Sequence, residues 1–297
     1  MTASLPGRLR EAATIIAPAT AVTALLFFFG YVATRARLRY FGVYLDMVDL
    51  SVRETALYGV EAIYPPVVLL AFAGLLATGL HAGARWLLAS PRRDLVSGWA
   101  GAFLVVAGVL AFARGVTGFL LPAVSRGEPL AVTPLGLGLG VLGVAYGGWL
   151  LHTVGARRDA RLAAPAVRRI GRHAAGWAAL IVLASSFWAV NEFAAAYGRG
   201  RAEDDAARLA HWPEVVLYTR EPLAELPCGV DHTVSAPADG EPTHRYTGLR
   251  LLVEAGDRLF LVPAVWDEAD SRTLVVSYDA TVRLELRPPP VTPPAPC

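Results

Sequence analysis

Five apolar runs, each long enough to cross a bilayer as a helix, constrain this chain more than any other feature. They cover residues 12–34, 66–88, 96–121, 134–154 and 174–197. A helical crossing needs roughly 17–25 apolar residues. Inside hydrocarbon only a helix or a closed barrel satisfies its own backbone, so runs of this length read as helices. Composition agrees, with 55% hydrophobic and 18% charged residues. The first run follows Arg8 and Arg10, as a signal peptide would. It is long, however, and "YVATRARLR" is a poor small-x-small cleavage site, so it reads as an anchor.

Arginine asymmetry sets an expected orientation. The segment between the fourth and fifth runs, "RRDARLAAPAVRRIGRH", carries Arg157, Arg158, Arg161, Arg168, Arg169 and Arg172. Placing it in the cytoplasm puts the N-terminus inside and everything after the fifth run outside. Arg35, Arg37 and Arg39 run against this choice. The six arginines act as a topology signal, with contact to anionic lipid heads as the alternative. Residues 1–198 hold 17 arginines against 9 acids, and residues 199–297 hold 10 against 16. A basic membrane part and an acidic soluble part follow, and the soluble part lacks the basic face that nucleic acid requires.

Between the first two runs lies "YFGVYLDMVDLSVRETALYGVEAIYPP", residues 40–66. Ser51 and Glu54 form a capping-box pattern that predicts a helix from Val52. Pro65 and Pro66 are expected to kink or break it. Tyr40, Phe41 and Tyr44 suit the headgroup level. Residues 40–64 therefore read as an amphipathic cap on the bilayer surface. It either seals the helix ends or docks the C-terminal domain or a partner.

This stretch, with the later "HRYTGLRLLVEAGDRLFLVPAVW", resembles segments of an uncharacterised family of bacterial, especially actinobacterial, multi-pass membrane proteins. The resemblance covers about a third of the chain. It implies a "YFG" loop after the first span and a small C-terminal β domain, and it implies no activity.

Arg114 in the third apolar run and Glu192 in the fifth are charges set well inside their runs. Such charges are costly and face a partner or water. The two lie at similar depth, which predicts an Arg114–Glu192 pair helped by Asn191. It is read as a structural ion pair, or alternatively as the lining of a polar path. Gly101, Gly108 and Gly115 recur every seven residues, and Gly136/Gly140 and Gly143/Gly147 give small-xxx-small spacings. These are helix-packing signals, within the chain or between copies.

After the fifth run the helix is expected to continue through "GRGRAEDDAARLAHW", loosened at Gly198 and Gly200. Strands follow at 214–219, 248–254, 258–266, 273–278 and 281–286, with hairpins at "AGD" and at Asp279–Ala280. Val282, Leu284 and Leu286 alternate with Arg283, Glu285 and Arg287, one face buried and one wet. Residues 199–287 thus form a small β-rich domain, whose core is marginal alone. Residues 288–297 form a proline-rich tail.

The two cysteines, Cys228 and Cys297, permit a disulfide if this part lies outside. Cys228, His232 and His244 match no closed zinc spacing, so no metal or other cofactor is expected. No nucleophile elbow, phosphate loop, dinucleotide fingerprint or zinc-protease motif occurs.

The expected architecture is an α-helical membrane bundle of about five transmembrane helices, residues 1–198, plus a small antiparallel β domain. The expected role is that of a non-enzymatic, multi-pass plasma-membrane protein. It would present the β domain outside for interaction, sensing or envelope organisation, alone or as a homo-oligomer. A transporter or channel component using Arg114 and Glu192 is the alternative.

Overall fold

A computed structural model of the chain describes residues 5–48, 52–125, 127–157, 159, 165–234 and 244–289. Helices α1 (Leu5–Tyr40), α2 (Val52–Leu88), α3 (Asp94–Leu120), α4 (Pro122–Ser125), α5 (Val132–Gly155) and α6 (Pro165–Arg208) precede strands β1 (Glu214–Thr219), β2 (Asp231–Val234), β3 (His244–Ala255), β4 (Arg258–Pro263), β5 (Leu274–Ser277) and β6 (Val282–Arg287). Four helical stretches among the described residues are long and apolar enough to cross a membrane: Leu57–Leu88, Pro91–Leu120, Val132–Gly155 and Arg169–His211. α1 overlies the predicted first span and is not one of these four.

α2 departs from expectation. Pro65 and Pro66 lie inside it without ending it, so the predicted surface helix and second span are one helix. A proline inside a long apolar helix loses a backbone bond, but neighbouring turns tolerate it. Ser51 and the side chain of Glu54 lie outside the described residues. α6 likewise runs unbroken through Gly198 and Gly200, correcting the predicted loosening. Gly198 is a packing position: a Cβ there would lie 2.0 Å from the Ala33 carbonyl oxygen.

The chain divides into two compact units. One comprises Ile63–Phe193 and the other joins Met1–Ala62 to Ala194–Cys297. The division is therefore not the simple cut at 198/199 that the sequence suggests.

In the Ile63–Phe193 unit, α3 and α5 pack through facing glycines. A Cβ on Gly108 would come 2.7 Å from Gly140 O, and one on Gly140 would come 2.5 Å from Phe112 N. Each glycine weakens its own helix by about 1 kcal/mol relative to alanine. Close backbone approach returns van der Waals contact that larger side chains would block. At one end of this pair Arg157 Nη1 lies 2.6 Å from Asp94 Oδ1, and its Nη2 donates to the Leu88 carbonyl. Arg157, predicted for topology or lipid, thus ties the end of α2 to the start of α3. Arg169 and Arg172 are exposed, while Arg158, Arg161 and the Arg168 side chain lie outside the described residues. Nearby, the Arg93 guanidinium stacks 3.6 Å from the Trp86 ring centroid.

In the other unit the sheet order is β5-β4-β3-β1-β6, with β2 added beside β3, all pairs antiparallel. β4 is buried on both faces, which explains its unbroken apolar run. Leu259 and Leu261 point into one cluster with Val215, Leu217, Tyr246, Leu249 and Val276. Phe260 and Val262 point the opposite way. A bulge between Leu251 and Val253 shifts the β3 register, so Leu252 and Val253 both reach that second face. β5 and β6 do not form the predicted second hairpin: β5 pairs with β4, and β6 pairs with β1 over six residues. The longer β1 ladder outcompetes the local turn signal. Leu286 is exposed despite its alternation.

The second face of the sheet is covered by the first and last helices. Leu38, Val43, Leu45 and Val48 pack on Ala255 and Phe260. Phe41 packs with Ala202, Leu209 and Val262. The 40–48 stretch thus packs into the core of the β domain, the docking alternative of the two expected for it. Of its aromatics only Tyr44 stands well exposed.

Candidate functional site

Spacing along α6 explains how two kinds of contact share one helix. Ala194, Gly198 and Ala202 recur every four residues and are buried, forming a small-residue stripe. Tyr197, Arg201 and Asp205 form a parallel polar stripe. Tyr197 donates to Glu61 Oε1 at 2.7 Å, and Arg201 lies 3.5 Å from the same carboxylate oxygen. Arg37 Nε donates to Asp205 Oδ2 at 2.7 Å. At the helix end, Arg250 is fully buried and donates to the carbonyls of Leu209, Ala210 and Leu249 at 2.9, 3.4 and 2.9 Å. A guanidinium suits a helix C-terminus, where free carbonyls and the macrodipole are negative. Burial pushes the pKa of Arg250 down, and the Glu214 charge opposes that shift.

The predicted intramembrane site is assembled differently from expectation. α3 brings Arg114 near its C-terminal end, and Gly115 and Gly118 let the start of α5 approach closely. The connection then returns through α4 and a turn carrying Glu128. Arg114 forms its ion pair with Glu128, which also accepts from Thr133 Oγ1 at 3.1 Å. Glu192 instead accepts the Ala131 N–H at 3.0 Å. Among the described residues no ion pair joins Arg114 to Glu192, which corrects the predicted pairing. The physical reason is proximity along the chain: the returning turn delivers a carboxylate before α6 is reached. Asn191 lies beside Glu192 on α6, half-buried.

Ala131 takes a left-handed conformation, φ 63°, at the N-cap of α5. Its N–H would have no partner within α5, and Glu192 supplies one from α6. Two carboxylates therefore gather at one helix N-terminus, where negative charge is favoured. Arg114 balances one of them, and its Nη1 is buried without a hydrogen-bond partner. Such a cluster ties the end of α3 and the start of α5 to the middle of α6, and it offers a donor to a water or polar solute.

Sequence reasoning missed Glu128, Thr133 and Ala131. The "SRGEP" turn between two apolar runs carried the signal, since a carboxylate there is within reach of a charge nearly two turns inside α3. A second polar contact inside the unit joins His81 Nδ1 to Tyr146 Oη at 3.0 Å, beside Trp149. None of the described cysteines is free, Cys228 being disulfide-bonded. Cys297 lies outside the described residues.

No protein-family model matches this chain, and no curated protein and no solved structure is similar to it.

Proposed function

We propose that this chain is a five-span plasma-membrane protein that presents its β domain outside the cell for interaction, sensing or envelope organisation, without catalysis. The observation that carries the reading is the second face of the sheet. It is closed by Phe41, Val43, Leu45, Leu209 and the ends of α1 and α6, so the β domain is built on membrane helices. Such a mount holds the opposite surface of the domain in a fixed setting relative to its own helices. The disulfide-bonded Cys228 supports an oxidising compartment for this domain. The exposed apolar side chains of α2, α3 and α6, such as Leu75, Phe103 and Leu183, support a lipid setting.

Labelling intact cells with a membrane-impermeant maleimide tests the orientation. The reading expects modification after reduction, without permeabilisation. Modification that requires permeabilisation overturns it and turns the protein over. An expectation of partner binding follows, tested by crosslinking on intact cells.

One observation favours a transport component instead. The buried, unpartnered Arg114 Nη1 beside two carboxylates is the chemistry of a polar path. Solute or proton flux lost in Glu192→Gln, with folding unchanged, would favour that second reading.

A further inference from the structure

His232 on β2 and His244 on β3 lie on one face of the sheet. His232 is directly opposite Tyr246 in the β2–β3 register, and His244 precedes Tyr246 by two residues, so the histidines form a diagonal cross-strand pair. His232 Nε2 lies 3.0 Å from His244 Nδ1, and the ring planes differ by 22°. The His232 ring also stacks on Tyr246, at 4.8 Å between centroids and 10° between planes. Tyr246 is fully buried, and its hydroxyl accepts the Leu223 N–H at 2.8 Å. One imidazole is therefore seated on an immobile platform, while the pair itself faces solvent at the rim of the core.

We propose that this pair is a binding site for a borderline divalent cation, Zn²⁺ or Cu²⁺. Imidazole nitrogens bind such ions at about 2.0–2.1 Å, which sets two ligands on one ion about 2.9 Å apart in square-planar cis positions and about 3.3 Å apart in a tetrahedron. The observed 3.0 Å falls within that interval. At this separation one ring donates an N–H to the other. Metal binding needs the donor ring to move its proton to its other nitrogen, and both rings to tilt so that their lone pairs converge. That tautomer change loses no proton overall. Among the described residues no third histidine, cysteine or carboxylate joins the pair. A two-imidazole site exchanges its ion more readily than a closed structural zinc site does. The site is independent of the Arg114 cluster and of the orientation proposed above.

The test uses the full chain in detergent, purified without a polyhistidine tag and washed with chelator. Cu²⁺ is added and followed by electron paramagnetic resonance, and Zn²⁺ by competition with a chromophoric chelator. The expected result is one ion bound through two imidazole nitrogens. His232→Ala and His244→Ala should each weaken binding by about tenfold or more, since even outer-shell partners of metal ligands are worth that much. Binding unchanged in either single variant overturns the proposal. So does uptake by the natural chain that is no greater than in the double variant. His232→Ala removes a stacking partner of Tyr246, so thermal unfolding of each variant is recorded, and His244→Ala, which leaves the His232–Tyr246 contact in place, carries the decision if His232→Ala unfolds.

Discussion

Arg37 and Asp205 stand 168 positions apart in the chain, yet Nε of one lies 2.7 Å from Oδ2 of the other. The side chain of Asp205 is 8% exposed and that of Arg37 is 27% exposed. This asymmetry yields a directional prediction. Removing the arginine strands a buried carboxylate, whereas removing the carboxylate leaves an arginine that can turn to water. Arg37→Ala should cost about 3 kcal/mol and Asp205→Ala nearer 1 kcal/mol. Chemical denaturation in detergent, followed by tryptophan fluorescence, measures both. Equal losses would remove the argument from burial.

The glycine seam predicts a contrast between two substitutions of the same kind. Gly108→Ala places a methyl 2.7 Å from backbone atoms of α5, which cannot give way, whereas a methyl on Gly74 meets nothing within 4 Å. Gly108→Ala should destabilise by about 2 kcal/mol or more. Gly74→Ala should be neutral or stabilising by up to about 1 kcal/mol. Melting of the two variants beside the natural chain decides the matter.

The Arg114 contacts predict where coupling lies. A double-mutant cycle of Arg114→Ala with Glu128→Ala should show an interaction of about 1 kcal/mol or more. The same cycle with Glu192→Ala should fall within about 0.5 kcal/mol of additive. The reverse order would restore the pairing expected from depth alone.

Asp279 gives a pH prediction. Hydrogen bonds from the Thr281 hydroxyl and N–H to Oδ1 hold its carboxyl below the usual carboxylate range. A depressed folded-state value stabilises the fold above the unfolded-state value, near 3.8, and the gain is lost as pH falls through the folded-state value. Asp279→Ala should therefore lower the melting temperature at pH 7. The gap to the natural chain should narrow steadily below pH 4. A gap that persists in acid would assign the effect to the turn's shape and not to its charge.

The helical part of this fold was legible because bilayer thickness sets run length, and bounds near 96–121 and 134–154 fell within two residues of α3 and α5. The β3–β4 hairpin was legible for a local reason, its turn at Gly256 with φ 56°. What escaped was non-local. β2 is four residues long and exposed throughout, so "DHTV" carries no apolar period. The partners of β5 and β6 depend on β4 and β1, which no turn signal encodes. Glu128 was not legible from depth, because it lies in the connection between two spans and not within either. For Phe41 two readings stayed open, because an aromatic residue after a span looks the same whether it meets a headgroup or a distant strand; its contact with Val262 bears out the docking reading.

The burial of Phe41 also sets a schedule. Its carbonyl accepts from Thr273 Oγ1 across 232 residues, and its ring meets Val262. A ribosome emits the "YFG" segment long before the strands that enclose it, with 232 positions between Phe41 and Thr273. Until those strands are made this hydrophobic hook is without them. Contacts of such long sequence separation form slowly, because loop closure must be completed before they reward it. A chaperone or lipid surface that shelters residues 40–48 during that interval would govern yield, and early stop codons before β3 would leave every upstream helix synthesised while the hook remains uncovered.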